Sequence, residues 1–507
     1  MVRGLGLFSS TAIVMGSMIG SGIFIVAADI ARGVDSPALM IAAWIVTAVM
    51  TIIAALSYGE LAAMMPKAGG QYVYLREALG PLWGFLYGWT LFLVIQTGTI
   101  AAVSVSFGKF SGVFFPWVSS THWLWYIGRV PGWTVGPMVL GNMDIGLSSA
   151  NLVGVVIVIL LTVVNVFGVS LGAIVQNIFT TAKVAALLGL VGFGLVLGRN
   201  AVAVAANFGP GWHAFWANAS WGSLHPVEVG VGGPTALVGV FTIIAIVQVG
   251  SLFSADAWNN VTFTAGEVRN PSRNLPLSLA IGTGVVLLLY ILANFVYLCG
   301  LPLHGDPNGT TLAARGIQYA SEDRVATAVL QQVFHSTGAY LMAAAILIST
   351  FGCNNGMIMA GARVYYAMSR DGLFFKAAGE LNPKYKTPVA SLIVQAIWSC
   401  LLCLSGTYSQ LLDFTMFAAL LFYILTIGGL FVLRIRKPEA HRPYKAFGYP
   451  VLPAIYILMA AWICVVLLRY KPQYTWPGMA IVLLGVPVYF LWSASSRREA
   501  DREISGT

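Results

Sequence analysis

About twelve apolar stretches, most of them roughly 20 residues long or more, recur along this chain and leave it few ways to fold. They lie near 8–30, 38–63, 82–110, 148–167, 173–197, 236–264, 277–300, 328–361, 388–405, 410–433, 449–469 and 475–494. A run of that length crosses a bilayer as a helix, and in lipid the backbone must satisfy its own hydrogen bonds. The chain therefore reads as an all-α integral membrane protein. Its 58% hydrophobic and 9% charged residues agree, since soluble chains carry about 25% charged residues. The formal charge of +9 does not point to nucleic acid, because of where the basic residues fall. With an internal N-terminus, most lysines and arginines lie on the inner side, in the loops 66–81, 267–276, 370–388 and 434–445 and in the two terminal segments. That is the positive-inside pattern of a multi-pass protein with both termini cytoplasmic, here expected in the cell (inner) membrane. The first stretch is too long for a cleavable signal peptide. The five cysteines all sit in or beside apolar spans and read as small core residues.

The first stretch is interrupted. Residues 16–22, Gly-Ser-Met-Ile-Gly-Ser-Gly, hold three glycines and two serines between apolar flanks. Glycine costs a helix about 1 kcal/mol relative to alanine, so the cluster predicts a local break. A break at mid-membrane bares amides for an anion and carbonyls for a cation. The second half-helix, from Ser21-Gly22-Ile23, adds the positive end of its dipole. Such a site fits the carboxylate and ammonium of an amino acid. The plainer reading is that the glycines only allow helices to pack closely. Both readings stand on the cluster alone.

The sixth stretch is interrupted too. Leu237 to Phe253 is apolar, then Ser254-Ala255-Asp256-Ala257 and Trp258-Asn259-Asn260 follow. A charge at that depth is unsuited to a lipid-facing helix. Breaks in the first and sixth spans are what two inverted five-helix repeats predict, with substrate held between them. The whole chain, 1–507, is then one transmembrane domain: 8–197 the first repeat, 236–433 the second, and 449–494 two extra helices.

These residues resemble the amino acid–polyamine–organocation superfamily, and its L-type amino acid transporter branch in particular. The resemblance rests on Gly16-Ser-Met-Ile-Gly-Ser-Gly-Ile-Phe24, on Tyr58-Gly-Glu-Leu61 with Pro66-Lys-Ala-Gly-Gly-Gln-Tyr72, and on Phe253 to Trp258 with Glu267-Val-Arg-Asn-Pro-Ser-Arg-Asn-Leu-Pro276. Phe351-Gly-Cys-Asn-Asn-Gly356 with Ser369-Arg-Asp-Gly372, and Arg436-Lys-Pro-Glu439 with Arg442-Pro-Tyr-Lys445, continue it in order. It implies a LeuT-type fold of 5+5 inverted repeats with discontinuous helices 1 and 6. It also implies a substrate carboxylate on the amides of Ser21, Gly22 and Ile23, and an α-ammonium on the carbonyls of Met18, Phe253 and Asp256. Phe253 matches the aromatic that closes over substrate, and Trp258 follows the break.

Lys183 lies within the fifth span, ten residues from its inner end and fourteen from its outer end, too far to snorkel, so it should face the protein interior. The resemblance implies that its ammonium stands where sodium-coupled relatives hold Na⁺, bridging the first and eighth helices. A fixed cation argues against sodium coupling, and one that exchanges its proton permits proton coupling; a structural tether is the alternative. No cofactor is implied, and a proton is the candidate coupling ion. Two positions depart from the family pattern. Asp256-Ala-Trp258 replaces Gly-Gly-Trp, and Cys353 replaces a serine, which puts the lysine's hydroxyl partner in doubt. Asp256 reads either as a partner for a cation or proton, or as a cap for a second half-helix from Trp258 onward. Glu60 reads as a solvated helix end or as an inner gate charge pairing with an arginine such as Arg269 or Arg363. The loop 111–147 lacks the cysteine by which animal L-type members attach an ancillary subunit, so no disulfide-linked partner is expected. The chain thus resembles a bacterial, self-sufficient permease.

The resulting expectation is a Na⁺-independent L-amino acid transporter, exchanger or proton-coupled, working by alternating access and catalysing no covalent chemistry. Its alternatives are a cationic amino acid or polyamine permease and a non-transporting amino acid sensor. A channel would need a continuous polar pore, whereas the polar intramembrane residues concentrate near one level. No nucleophile–base pair or metal-ligand spacing suggests an enzyme.

Overall fold

The computed structural model describes residues 4–131, 133–135, 138–140, 143–230, 233–404 and 408–505. The first span is two helices, α1 (Leu7–Met18) and α2 (Gly22–Val34), joined by an unwound Ile19-Gly20-Ser21. The expected break is there, with Gly22 already the first residue of the second half. Then come α3 (Pro37–Met64), a short α4 (Gln71–Leu79) on the inner loop, and a third span of α5 (Pro81–Thr90), a π-helical turn Leu91–Ile95 and α6 (Gln96–Ser111). Spans four and five are α7 (Ser149–Val166) and α8 (Val169–Val196), followed by a short α9 (Ala201–Asn207).

The sixth span is α10 (Val240–Ser254), then an unwound stretch with Ala257 at φ +63°, then only one turn of helix, α11 (Asn260–Phe263). The second half-helix expected from Trp258 is thus later and far shorter. The seventh to twelfth spans follow as α12 (Pro271–Gly300), α14 (Val325–Arg370), α15 (Val389–Cys403), α16 (Tyr408–Arg436), α17 (Val451–Tyr470) and α18 (Pro472–Ser505); α13 (Leu312–Arg315) is a short loop helix. The 46-residue α14 is bent at His335, whose φ of 54° no continuous helix holds. Among the described residues ten segments are long and apolar enough to cross a membrane, and two shorter apolar helices, Val240–Ser254 and Val389–Cys403, complete the twelve expected places.

The fold is all-α apart from three small antiparallel hairpins. They pair β1 (Trp123–Val130) with β4 (Met143–Ser148), β2 (Trp133–Val135) with β3 (Met138–Leu140), and β5 (Leu224–Glu228) with β6 (Thr235–Gly239). Aromatic and β-branched residues suit these strands. Apolar residues cover the bundle exterior, including Ile45, Val49 and Ile52 on α3 and Ile174, Ile178 and Leu188 on α8. A surface like that is stable against lipid tails, and polar groups turn inward.

At the face where the chain begins, Leu5 N–H donates to the Glu267 carbonyl at 3.0 Å and Arg269 N–H donates to the Leu5 carbonyl at 2.8 Å. The start of the chain is thereby strapped to the segment after α11.

Candidate functional site

The two breaks meet in the middle of the bundle. A Cβ added at Gly22 would lie 2.3 Å from Ser254 Oγ and 2.9 Å from Ser254 Cα. One at Gly16 would fall 1.9 Å from Gln176 Nε2, and one at Gly20 would fall 3.1 Å from Cys353 Sγ. The helix is broken at the cluster, and its glycines are also close-packing positions. Ser21, Gly22 and Ile23 form the start of α2, where amides have no partner one turn back within that helix. The Met18 carbonyl accepts the Tyr290 hydroxyl at 3.0 Å and the Gly20 N–H at 2.8 Å. The same Tyr290 hydroxyl reaches the Ser254 carbonyl at 3.1 Å, so one phenol on α12 ties the two breaks together. Two turns on, Tyr297 donates to the Ile23 carbonyl at 3.2 Å. The Phe253 carbonyl accepts the Asp256 N–H at 3.1 Å, and the Phe253 side chain is buried.

Lys183 is 1% exposed and donates to three carbonyls: Gly16 at 2.5 Å, Ile19 at 2.8 Å and Ser349 at 3.1 Å. Its ammonium joins α8 to the first-span break and to α14. The partners of the lysine are all backbone carbonyls, none of them the hydroxyl that Cys353 replaces, and the nearby hydroxyl serves the break instead. Ser349, one turn earlier, donates to Ile19 at 3.0 Å and Gly20 at 3.1 Å, while the Cys353 thiol donates to the Ser17 carbonyl at 3.0 Å.

Asp256 stands between two cavities. The larger is lined by residues including Gln71, Tyr87, Gln96, Thr99, Asn259, Asn260 and Met357. The smaller is lined by residues including Thr51, Leu252, Trp258, Met416 and Tyr456. Tyr423 borders both, and its hydroxyl donates to Asp256 Oδ1. The alternative of a cap on the second half-helix does not hold for α11, which begins at Asn260 and has no side-chain cap. Trp258 packs edge-on against Tyr58, with ring centroids 4.8 Å apart, and lines the smaller cavity.

The larger cavity sits beside the unwound first span, displaced toward the face that carries the N-terminus. Gly20 faces Cys353 and Val103, whereas the cavity touches Met357 and Thr99. Each is four residues away on its helix, one turn or about 5.4 Å. Leu91 and Ile95, at the ends of the π-helical turn, also line it; such turns are common at functional sites. Most of its polar groups are paired. Gln71 Nε2 donates to Thr426 Oγ1 at 3.0 Å and Gln71 Oε1 accepts from Asn259 Nδ2 at 2.9 Å. Gln96 Nε2 donates to the Met357 carbonyl at 2.8 Å. Asn260 is the exception: it is 1% exposed, and its Nδ2 has no hydrogen-bond partner. A buried donor left unpaired costs about 1–3 kcal/mol.

Glu60 is not a solvated helix end; it pairs with arginines, and these are Arg434 and Arg442 where the sequence offered Arg269 or Arg363 as examples. It is fully buried and holds Arg434 at 3.0 and 2.6 Å, Arg442 at 3.2 Å and the Ala446 N–H at 2.7 Å. Arg363 instead pairs with Glu267 at 3.4 Å, both groups being 1% exposed. The reason is topological: α3 ends against the loop after α16, whose spacing from Glu60 in sequence gives no hint of contact. Tyr290, Tyr423, Gln71, Gln96 and Asn260 were equally hidden, since polar residues in apolar helices are legible but their facing is not. Among the described residues no cluster of His, Cys, Asp and Glu is arranged to hold a metal.

Comparison with known proteins places this geometry. The profile of the amino acid permease family matches residues 5–490. The b(0,+)-type amino acid transporter 1 of Rattus norvegicus is 28% identical over 490 residues, covering 96% of this chain and 87% of the relative. The large neutral amino acids transporter small subunit 2 of Homo sapiens is 28% identical over 488 residues, 96% of this chain and 80% of the relative. The serine/threonine exchanger SteT of Bacillus subtilis (strain 168) is 26% identical over 488 residues, 96% of each chain. The family carries solutes across membranes and makes no covalent bonds, and with its broken helices, enclosed lysine and paired cavities this chain belongs to the amino acid permeases.

Proposed function

We propose that the protein is a Na⁺-independent transporter of L-amino acids that works by alternating access about the breaks in its first and sixth spans. The observation that carries this reading is Lys183, whose ammonium is enclosed by the carbonyls of Gly16, Ile19 and Ser349. A fixed cation there occupies the place where a sodium ion would otherwise bind, so no sodium is needed to hold the broken helix in shape. The substrate carboxylate lies on the amides of Ser21, Gly22 and Ile23. Its ammonium reaches the carbonyls of Met18, Phe253 and Asp256 as Tyr290 yields its place on Met18. Its side chain points toward the cavity lined by Gln71, Gln96 and Asn260, and Phe253 closes above it. Residues 8–197 and 236–433 act as the two repeats, with 449–494 as an appendage. Both termini are cytoplasmic, in a bacterial inner membrane, with no disulfide-linked subunit.

A second reading, a cationic amino acid permease, is favoured by one feature, the buried Asp256 carboxylate bordering both cavities. Uptake of labelled amino acid into liposomes containing only this protein tests both. Saturable uptake that is stimulated by internal amino acid and unchanged when choline replaces Na⁺ supports the carrier; binding without flux supports a sensor. Competition by lysine and arginine, abolished in Asp256→Asn, supports the second reading. The same variant reports on protons, because asparagine does not titrate: an unchanged pH profile leaves Asp256 without a coupling role.

A further inference from the structure

The larger of the two cavities is bordered by a buried carboxamide whose nitrogen the protein itself does not satisfy. Asn260 is 1% exposed, its Nδ2 has no partner, and it lines that cavity together with Asp256 and Tyr87. Its neighbours in the wall behave differently. Gln71, Gln96 and Asn259 all spend their amide groups on the protein, and the Thr99 hydroxyl is turned back to the Ile95 carbonyl at 2.6 Å. The Asn260 backbone is also in use, its N–H donating to the Ala257 carbonyl at 3.2 Å. The side-chain amide is therefore held in place by an ordered backbone while its Nδ2 stays without a partner.

A buried polar group without a partner is disfavoured unless something else completes it. A small polar side chain on the substrate is of the right kind. A hydroxyl both donates and accepts, and so does a carboxamide, so either satisfies Asn260 whichever end of its amide faces the cavity. An apolar side chain of the same shape leaves the amide unpaired and is rejected for that reason.

We propose that Asn260 is a specificity-determining residue, reading a hydroxyl or carboxamide on the side chain of a neutral L-amino acid. The proposal rests on the reading that this cavity receives the substrate side chain. Binding is measured without flux, as ligand-induced thermal stabilisation of the detergent-solubilised protein, with two near-isosteric pairs: L-threonine against L-valine, and L-asparagine against L-leucine. The polar member of each pair should bind about five- to tenfold more tightly, the size of one neutral hydrogen bond. In Asn260→Leu that preference should vanish while the apolar member binds at least as well as before.

The wild-type comparison needs no variant, so a poorly folding Asn260→Leu does not shield the idea. Equal binding within both pairs, or a preference that survives Asn260→Leu, overturns it. Liposome uptake separates the two levels. Preference without flux keeps the role of Asn260 and removes transport; flux without preference does the reverse.

Discussion

Replacing Lys183 by methionine keeps the length of the side chain and removes its charge. Three donated hydrogen bonds disappear, but their acceptors lose unequally. The Ile19 carbonyl still accepts the Ser349 hydroxyl at 3.0 Å. The Ser349 carbonyl lies inside α14, where a carbonyl has an intrahelical partner. The Gly16 carbonyl is the exposed one, because the amide that would bond it in a continuous helix, Gly20 N–H, is turned to Met18 at 2.8 Å. One buried acceptor is thus orphaned, at about 1–3 kcal/mol. Against a total stability of about 5–15 kcal/mol, the variant should fold, with a melting temperature lowered by a few degrees. The break it no longer holds is the binding site, and each 1.4 kcal/mol is a factor of ten. Initial uptake should therefore fall by roughly five- to 150-fold. Size-exclusion after heating measures the first quantity, and liposome uptake at matched protein density measures the second, with Na⁺ and with choline outside. A folded Lys183→Met that transports at the normal rate, or wild-type flux that requires Na⁺, would refute the reasoning.

Three further outcomes follow from the same contacts. Gly22→Ala should lose substrate binding and some stability together, because the new Cβ would meet Ser254 Oγ at 2.3 Å; normal binding by isothermal titration would show that the breaks need not touch. Glu60→Ala should cost about 3–5 kcal/mol, as breaking a buried ion pair does, and Glu60→Gln less, since it still accepts from the Ala446 N–H; equal losses in unfolding temperature would remove charge from the account. Outside the membrane, burial lowers the His225 imidazole from its usual value against the pull of Asp35. The unfolded chain then takes up a proton first, so stability of the β5–β6 region should be full above the ordinary histidine range near pH 6.5 and decline as pH falls below it; His225→Gln should flatten that slope in hydrogen exchange.

Much of this protein is determined by its sequence alone. Twelve apolar stretches can only be helices in lipid, because no other open structure satisfies the backbone there. The glycines at 16, 20 and 22 and the polar run at 254–260 each announce a break by local propensity, and Lys183 announces an interior position by the expense of a charge in hydrocarbon. None of these inferences needs to know what lies opposite. The tertiary structure decided everything that does. Glu60 was legible as a charge at a helix end, yet its partners Arg434 and Arg442 come from the end of α16 and the loop after it, more than 370 residues away in sequence. Asp256 was legible as out of place, but its bond to Tyr423 and its position between two cavities depend on how α16 lies beside the sixth break. Asn260 read as one polar residue among several. Hydrogen-bond satisfaction is a property of facing pairs, and facing is set by how helices rotate and pack against one another, which the order of residues along any one of them does not contain.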